Sequence, residues 1–138
     1  MIINGGNLSR AFALACGVGF AGAAQAQECK LIQTGTASWY GEEMAKGKKK
    51  GRRVYSKTAS GDAFVPGAIS AAHKTLALNS KVCVVAHEYD TEAMVEINDR
   101  GPYAKDRILD ASRGLAERLG FKDAGEAKVS LYANCCPN

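Results

Sequence analysis

Apolar and polar positions alternate in short runs along most of the chain, and turns that contain glycine or proline separate these runs. Residues 31–40 carry Thr, Ile, Trp and Tyr and predict a strand that is interrupted at Gly35. Residues 81–86 are a strongly β-branched run, and residues 93–97 alternate in the way that is typical of a half-buried strand. Residues 128–133 predict a last strand.

One helix is predicted near the carboxyl end of the chain. Ser112 is placed to cap its first turn, Leu115, Ala116 and Leu119 line one face, and Gly120 stands where a left-handed residue ends a helix. Several short strands together with one short helix favour a compact β-barrel in which helices are a minor part.

The first 26 residues have the pattern of a cleavable signal peptide. Arg10 is their one charged residue, residues 11–24 are apolar and small, and Ala24-Gln25-Ala26 is a small–x–small cleavage pattern. We expect residues 27–138 to form one domain that is periplasmic or secreted and has no stable membrane span. The alternatives are a buried core helix and a lipoprotein anchored at Cys16.

Cysteine usage agrees with export. If Cys16 leaves with the signal peptide, four cysteines remain in a small exported domain, which predicts two disulfides with three possible connectivities. A bond between Cys135 and Cys136 would strain the backbone, so each is expected to pair with Cys29 or Cys83. The alternative, a zinc site, lacks a CxxC pair or a neighbouring histidine, and we expect neither a metal nor a cofactor.

Residues 41–53 are rich in Gly and Lys and predict a loop, and a cluster of basic residues lies in and just after it. The cluster comprises Lys46, Lys48, Lys49, Lys50, Arg52, Arg53 and Lys57. It is suited either to contact with an anionic polymer or to a solvated loop. Nucleic acid is disfavoured as a partner, because the chain is predicted to be exported and Tyr55 is the one aromatic residue among the basic ones.

Asp99 is the first candidate for chemistry. It ends a predicted strand between Asn98 and Arg100, and Gly101 and Pro102 force the chain to turn just after it. A carboxylate on a rigid strand end is well placed to point into a cleft and act as a general acid. The alternative is that Asp99 caps the turn or pairs with Arg100.

Two histidines occur in the chain, and neither lies in a recognisable catalytic motif. His73 follows two alanines, which by itself is more typical of a structural residue, and His87 ends a strand as a surface residue. No glycine-rich phosphate loop, HExxH or Gly-x-Ser-x-Gly pattern is present.

Five short blocks occur in an order and at spacings that resemble the rare lipoprotein A (RlpA-like) family of double-psi β-barrels. The resemblance runs from about residue 35 to residue 131. The blocks are Ala37-Ser38-Trp39-Tyr40-Gly41, Thr58-Ala59-Ser60-Gly61, Ala71-Ala72-His73-Lys74-Thr75-Leu76, Asn98-Asp99-Arg100-Gly101-Pro102 and Arg107-Ile108-Leu109-Asp110-Ala111-Ser112.

The resemblance implies a mainly β fold, a six-stranded double-psi β-barrel with one or two short helices and a groove for a polysaccharide. It implies an endolytic peptidoglycan lytic transglycosylase, which breaks the β-1,4 bond between N-acetylmuramic acid and N-acetylglucosamine and leaves a 1,6-anhydromuramic end. The family's catalytic Asp and His fall on Asp99 and His73. The expected partner is the peptidoglycan glycan strand, bound by a monomer.

We assign four further residues to substrate binding: Asp62, Tyr40, Arg100 and Lys57. Family members often carry Glu where this chain has Asp62, which is one methylene shorter. A cation in contact with Asp99 would oppose protonation of the carboxylate, so the Arg100 guanidinium is expected to point away from the groove.

Two other functions remain open on the sequence. One is a catalytically silent, expansin-like barrel that binds wall carbohydrate, which the change at Asp62 favours. The other is a secreted effector that binds a protein through the basic loop.

Overall fold

The computed structural model describes residues 17, 19, 22, 28–41, 45–49 and 52–137. The predicted signal peptide, its cleavage pattern and Cys16 lie outside the described residues, three isolated glycines apart. Within the described ranges, no helix has the length and apolar character needed to cross a membrane.

The described residues form eight strands, one α-helix and one short 3₁₀-helix, in an order dominated by strands. They are β1 (Lys30–Tyr40), β2 (Ala45–Lys49), β3 (Arg52–Tyr55), β4 (Ser70–Ala72), β5 (Ser80–Ala86), the 3₁₀-helix (His87–Tyr89), β6 (Thr91–Asp99), β7 (Arg107–Ser112), α1 (Arg113–Leu119) and β8 (Glu126–Ala133). The predicted strands correspond to β1, β5, β6 and β8, and the predicted helix corresponds to α1.

Six strands close into a barrel in the order β1-β7-β4-β6-β5-β8. β1 runs parallel to β7 and antiparallel to β8, and β4 runs parallel to β6 and antiparallel to β7. Closure removes the free sheet edges, so each barrel strand has a backbone partner on both sides. The predicted six-stranded double-psi β-barrel is confirmed.

The core of the barrel follows from the period-two alternation of its strands. On β6, Ala93, Val95 and Ile97 are buried while Met94 between them is exposed, because successive side chains of a strand point to opposite faces. Other strands, α1 and the segment just after α1 complete the core with large buried side chains: Val84, Leu109, Leu115, Leu119, Phe121, Val129 and Leu131.

Helix α1 begins and ends as its sequence predicts. The Ser112 hydroxyl accepts a hydrogen bond from the Leu115 amide at 3.1 Å, which satisfies one of the unpaired donors of the first turn. Gly120 has φ of 89° and its amide bonds back to Ala116 and Glu117, so a residue without a side chain is favoured there.

The prediction of a loop over residues 41–53 is wrong for residues 45–49 and 52–53. The described part of this segment forms an antiparallel hairpin in which Lys48 pairs with Arg53 and Lys49 with Arg52, outside the barrel sheet. A two-stranded ladder is held by backbone hydrogen bonds, which need no apolar face. The polar, lysine-rich sequence therefore forms strands without showing the alternation by which strands are recognised.

Two disulfides fasten the ends of the barrel. Cys29 pairs with Cys135 and Cys83 pairs with Cys136. The predicted scheme, in which each of the adjacent cysteines is tied to Cys29 or Cys83, is confirmed. Strand β8 is consequently anchored just beyond its end both to the start of β1 and to β5.

Candidate active site at the end of strand β6

Asp99 is the last residue of β6 and lies opposite Ala72 of the short strand β4. The chain turns immediately after it, at Gly101, whose φ of 130° is a backbone conformation that L side chains rarely adopt. Asp99 is therefore placed by a barrel strand on one side and a sharply constrained turn on the other.

Three donors hold the Asp99 carboxylate. Its Oδ1 accepts hydrogen bonds from the backbone amides of Ala59 and Arg100, both at 2.9 Å. Its Oδ2 accepts a hydrogen bond from the Tyr40 hydroxyl at 3.2 Å. Because two of these donors are main-chain groups on different segments, the half-buried carboxylate is held in one orientation rather than rotating freely.

The turn that supplies the Ala59 amide is itself rigid. The Thr58 amide donates to the Asp62 carbonyl at 2.8 Å, and the Ser60 amide donates to the Asn98 carbonyl at 3.0 Å, which docks the turn onto the end of β6. The exposed Asp62 carboxylate accepts a hydrogen bond from the Ser60 hydroxyl at 3.1 Å. Asp62 thus lies on the turn that contacts Asp99, without a direct bond to the Asp99 carboxylate.

Tyr40 reaches Asp99 from the end of β1. Its ring packs against Phe64 at a centroid distance of 4.9 Å, and Phe64 is only 2 % exposed. This contact fixes the ring that carries the hydroxyl. Lys57, which is exposed, pairs through its backbone with Ala63 and so lies at the base of the same turn as Asp62.

His73 follows β4 and is 4 % exposed. Its Nδ1 accepts hydrogen bonds from the backbone amides of Thr75 at 3.1 Å and Leu76 at 3.0 Å. This network assigns the ring proton to Nε2, which then donates to Gln33 Oε1 at 3.1 Å. Burial lowers the pKa of His73 below its usual value of 6.5, and the nearby charges of Arg100 and Lys74 lower it further.

His73 and Asp99 are neighbours through their backbones and not through their side chains. The His73 amide donates to the Asp99 carbonyl at 3.2 Å. The side chains bond to residues at opposite parts of β1, since the His73 ring reaches Gln33 and the Asp99 carboxylate reaches Tyr40. A ligand that contacts both groups must extend along the surface between them.

Arg100 joins the two segments. Its Nη1 donates to the backbone carbonyls of His73 at 3.2 Å and Leu76 at 2.7 Å, while its own amide donates to Asp99. The Arg100 guanidinium therefore holds the segment that carries His73. Arg100 contacts the Asp99 carboxylate through its backbone amide instead.

Sequence reasoning missed two of the groups that position the candidate residues. The Ala59 amide and Gln33 are each 40 residues from the side chain they contact. A backbone amide has no signature in the sequence, although the Thr58-Ala59-Ser60-Gly61 block marked the turn that carries it. Gln33 gave no signal beyond its place in a predicted strand.

A family model described as lytic transglycolase matches residues 32–131, which include the whole closed barrel apart from its outermost strand ends. The chain belongs to this family. Its barrel, the Asp99 strand end and the His73 segment all lie within the matched residues.

Curated members of the family have longer chains. A protein named endolytic peptidoglycan transglycosylase RlpA from Neisseria meningitidis is 40 % identical over 105 residues, which are 76 % of this chain and 40 % of that protein. Proteins of the same name from Rickettsia felis and Yersinia pestis are 43 % and 39 % identical, covering 73 % and 77 % of this chain and 42 % and 27 % of theirs. The chain spans less than half the length of these relatives.

A solved structure also has this fold. The Streptomyces papain inhibitor superposes with a TM-score of 0.51 over 76 % of this chain and 98 % of its own, at 13 % sequence identity. At that identity the likeness concerns the fold alone.

Proposed function

We propose that this family member is an endolytic lytic transglycosylase that cleaves peptidoglycan outside the cytoplasm. The observation that carries the proposal is the Asp99 carboxylate, held at a strand end by two backbone amides and the Tyr40 hydroxyl. The curated relatives that match most of this chain are named for the same activity. Secretion by residues 1–26 and action as a monomer belong to the same proposal.

In this proposal one carboxyl group performs both proton transfers. Protonated Asp99 gives its proton to the glycosidic oxygen as the bond from that oxygen to C1 of N-acetylmuramic acid breaks. The 6-hydroxyl oxygen of the same sugar forms a bond to C1, and its proton passes to the Asp99 carboxylate. The products are a free 4-hydroxyl on N-acetylglucosamine and a 1,6-anhydromuramic end. No water is consumed, so the second carboxylate of a hydrolase is not required.

The surrounding residues act on the substrate or on Asp99. Tyr40 positions the carboxylate through its hydrogen bond to Oδ2. Neutral His73 offers an Nε2–H donor to the glycan in place of, or together with, Gln33. We assign Asp62 and Lys57, on the adjoining turn, to contacts with sugar hydroxyls, and Arg100 to the support of the His73 segment beneath the glycan.

The test is digestion of purified peptidoglycan by the parent protein and by Asp99→Asn, with products identified by mass spectrometry. We expect anhydromuramic ends from the parent and a loss of about 100-fold or more in the variant, because the amide cannot transfer the proton. Asp123→Asn, at an exposed turn beyond α1, is the matched control and should cleave like the parent. Reducing ends in place of anhydromuramic ends would contradict the mechanism.

The same geometry favours a second candidate, a barrel that binds wall carbohydrate without cleaving it. Two amides directed at one carboxylate oxygen are also what a structural cap of a turn requires. This candidate predicts that the parent sediments with peptidoglycan and releases no soluble fragment. In that case Asp99→Asn would lower the stability of the fold, and the variant molecules that remain folded would bind peptidoglycan as the parent does.

A further inference from the structure

A cavity of about 230 Å³ lies beside His73, away from the Asp99 carboxylate. Three segments build it: Gln33 of β1, the segment that begins at His73, and the end of the turn that leads into β7. Its volume is below the roughly 300–1,000 Å³ of pockets for drug-sized ligands, so it suits a substituent or a single sugar rather than a length of polymer.

The lining of this cavity is cationic. Lys74, Lys105 and Arg107 contribute to it, and no Asp or Glu is among its described lining residues. Arg107 is paired with Glu126 at the surface, which leaves Lys74 and Lys105 as the lining charges that form no ion pair with any described residue. The Lys74 ammonium donates to the Ala104 carbonyl at 3.4 Å and so lies against the turn that carries Lys105.

Neutral hydrogen-bond donors complete the cavity. On one wall the His73 Nε2–H donates to Gln33 Oε1 at 3.1 Å, and the Gln33 side chain also carries an amide NH₂ group. Thr75 lies on the same segment as Lys74. Ammonium groups together with neutral N–H donors form charge-assisted hydrogen bonds with an anion and gain little from an uncharged sugar hydroxyl.

We propose that this cavity is a carboxylate-binding subsite of the glycan groove, formed chiefly by Lys74 and Lys105. The proposal rests on the proposed function, which supplies a polymer that carries carboxylates. Each N-acetylmuramic acid has one lactyl carboxylate when no peptide is attached, and attached stem peptides have their own. The segment that lines the subsite is joined to the end of β6, because the His73 amide donates to the Asp99 carbonyl at 3.2 Å.

Binding is tested without reference to activity by following backbone amide resonances of the whole protein in a titration. The probes are N-acetylmuramic acid, its lactyl carboxamide, and the dipeptide L-alanyl-D-glutamic acid. We expect an acid probe to shift the amides of Lys74, Thr75 and Lys105, with a much smaller shift from the carboxamide. The acid with the larger shift identifies the source of the carboxylate. Equal shifts from acid and carboxamide, or no shift with either acid, would overturn the proposal.

Kinetics give the second test. The test variant is Lys74→Gln/Lys105→Gln. The control is Lys81→Gln/Arg118→Gln, which removes two exposed charges outside this cavity. On carboxylate-bearing glycan, we expect the first variant to raise KM about tenfold, or 1.4 kcal/mol, with kcat retained. On glycan whose carboxylates have been amidated, it should match the parent. The same loss on both substrates would refute the subsite. If the parent cleaves neither, the proposed function fails and the titration alone decides the subsite.

Discussion

At the scale of single residues, His73 is held as a neutral imidazole by its surroundings. Two backbone amides occupy Nδ1, so a second ring proton would have to displace them. Burial and the charges of Arg100 and Lys74 lower the pKa of His73, which disfavours protonation for the same reason. The ring is thereby favoured as a neutral Nε2–H donor.

This arrangement predicts a pH dependence of stability. The pKa of His73 is lower in the folded protein than the usual 6.5, so as the pH falls below 6.5 the unfolded chain takes up the proton first. The free energy of unfolding therefore falls with pH until the pKa of the folded state is reached. His73→Gln removes this contribution, and urea unfolding between pH 7 and 5 should show a shallower slope than in the parent.

The matched variant is His87→Gln, which removes the other imidazole, an exposed one. If the pH dependence comes from the buried ring, the slope should change less in His87→Gln than in His73→Gln. Equal changes in the two variants would contradict the assignment of the effect to the buried ring.

Some residues of the candidate site can be predicted from their local sequence, whereas the groups that contact them cannot. Asp99 is singled out by its place at a strand end before Gly101 and Pro102, and the structure places it there. The partners of its carboxylate are a different matter, because Ala59 and Tyr40 are brought to it by folding over 40 and 59 residues. His73 looks unremarkable in its own sequence, because its ring is held by two nearby backbone amides, which have no sequence signature, and by Gln33 of β1.

At the scale of elements, the start of α1 packs directly on the turn at Pro66-Gly67. The Gly114 amide donates to the Pro66 carbonyl at 2.7 Å. A Cβ at Gly114 would lie 2.3 Å from the Gly67 carbonyl oxygen and 2.6 Å from its carbon. The helix can approach this closely only because its second residue has no side chain.

Gly114→Ala is therefore expected to destabilise the fold by about 2 kcal/mol or more. The backbone displacement that relieves the clash outweighs the roughly 1 kcal/mol by which Ala is favoured over Gly inside a helix. Chemical denaturation measures the difference.

Gly67→Ala is the control on the other side of the same contact. No atom lies within 4 Å of its Cβ and its φ is not positive, so its stability should stay within about 0.5 kcal/mol of the parent. A loss in Gly67→Ala as large as that in Gly114→Ala would show that the turn, and not the helix contact, is sensitive.

A strand or helix was predictable from sequence where its own residues show the periodicity or capping residues of that element. β5 and β6 are β-branched or alternating, and α1 has a cap, an apolar face and a terminal glycine, so each is recognised locally. β4 is only Ser-Ala-Ala and becomes a strand because β6 and β7 flank it. β7 was part of a recognised block, yet its strand character comes from parallel pairing with β1.

At the scale of the whole molecule, two disulfides tie residues that are far apart in sequence. Cys29 and Cys135 are separated by 106 residues, and Cys83 and Cys136 by 53. In the chain-entropy model, closing loops of these sizes contributes about 4–5 kcal/mol each, by restricting the unfolded chain.

Replacing Cys29 and Cys135 together by Ser should lower the free energy of unfolding by about 2–5 kcal/mol. Cys83→Ser/Cys136→Ser is the matched variant, and its loss should be smaller by about 0.6 kcal/mol if loop length decides. In the parent, the four cysteines of the described barrel should resist alkylation until a reductant is added. Ready alkylation of the native protein would contradict the pairing.

The position of β1 in the barrel has a consequence for how the chain is made. Its two neighbours are β7 and β8, the last two strands in sequence. A chain that emerges amino end first has therefore produced β1 long before either of the strands that will flank it. Until then the first strand is an open edge, able to pair with other chains, and the barrel cannot close prematurely. The barrel can therefore form only after almost the whole chain has been made.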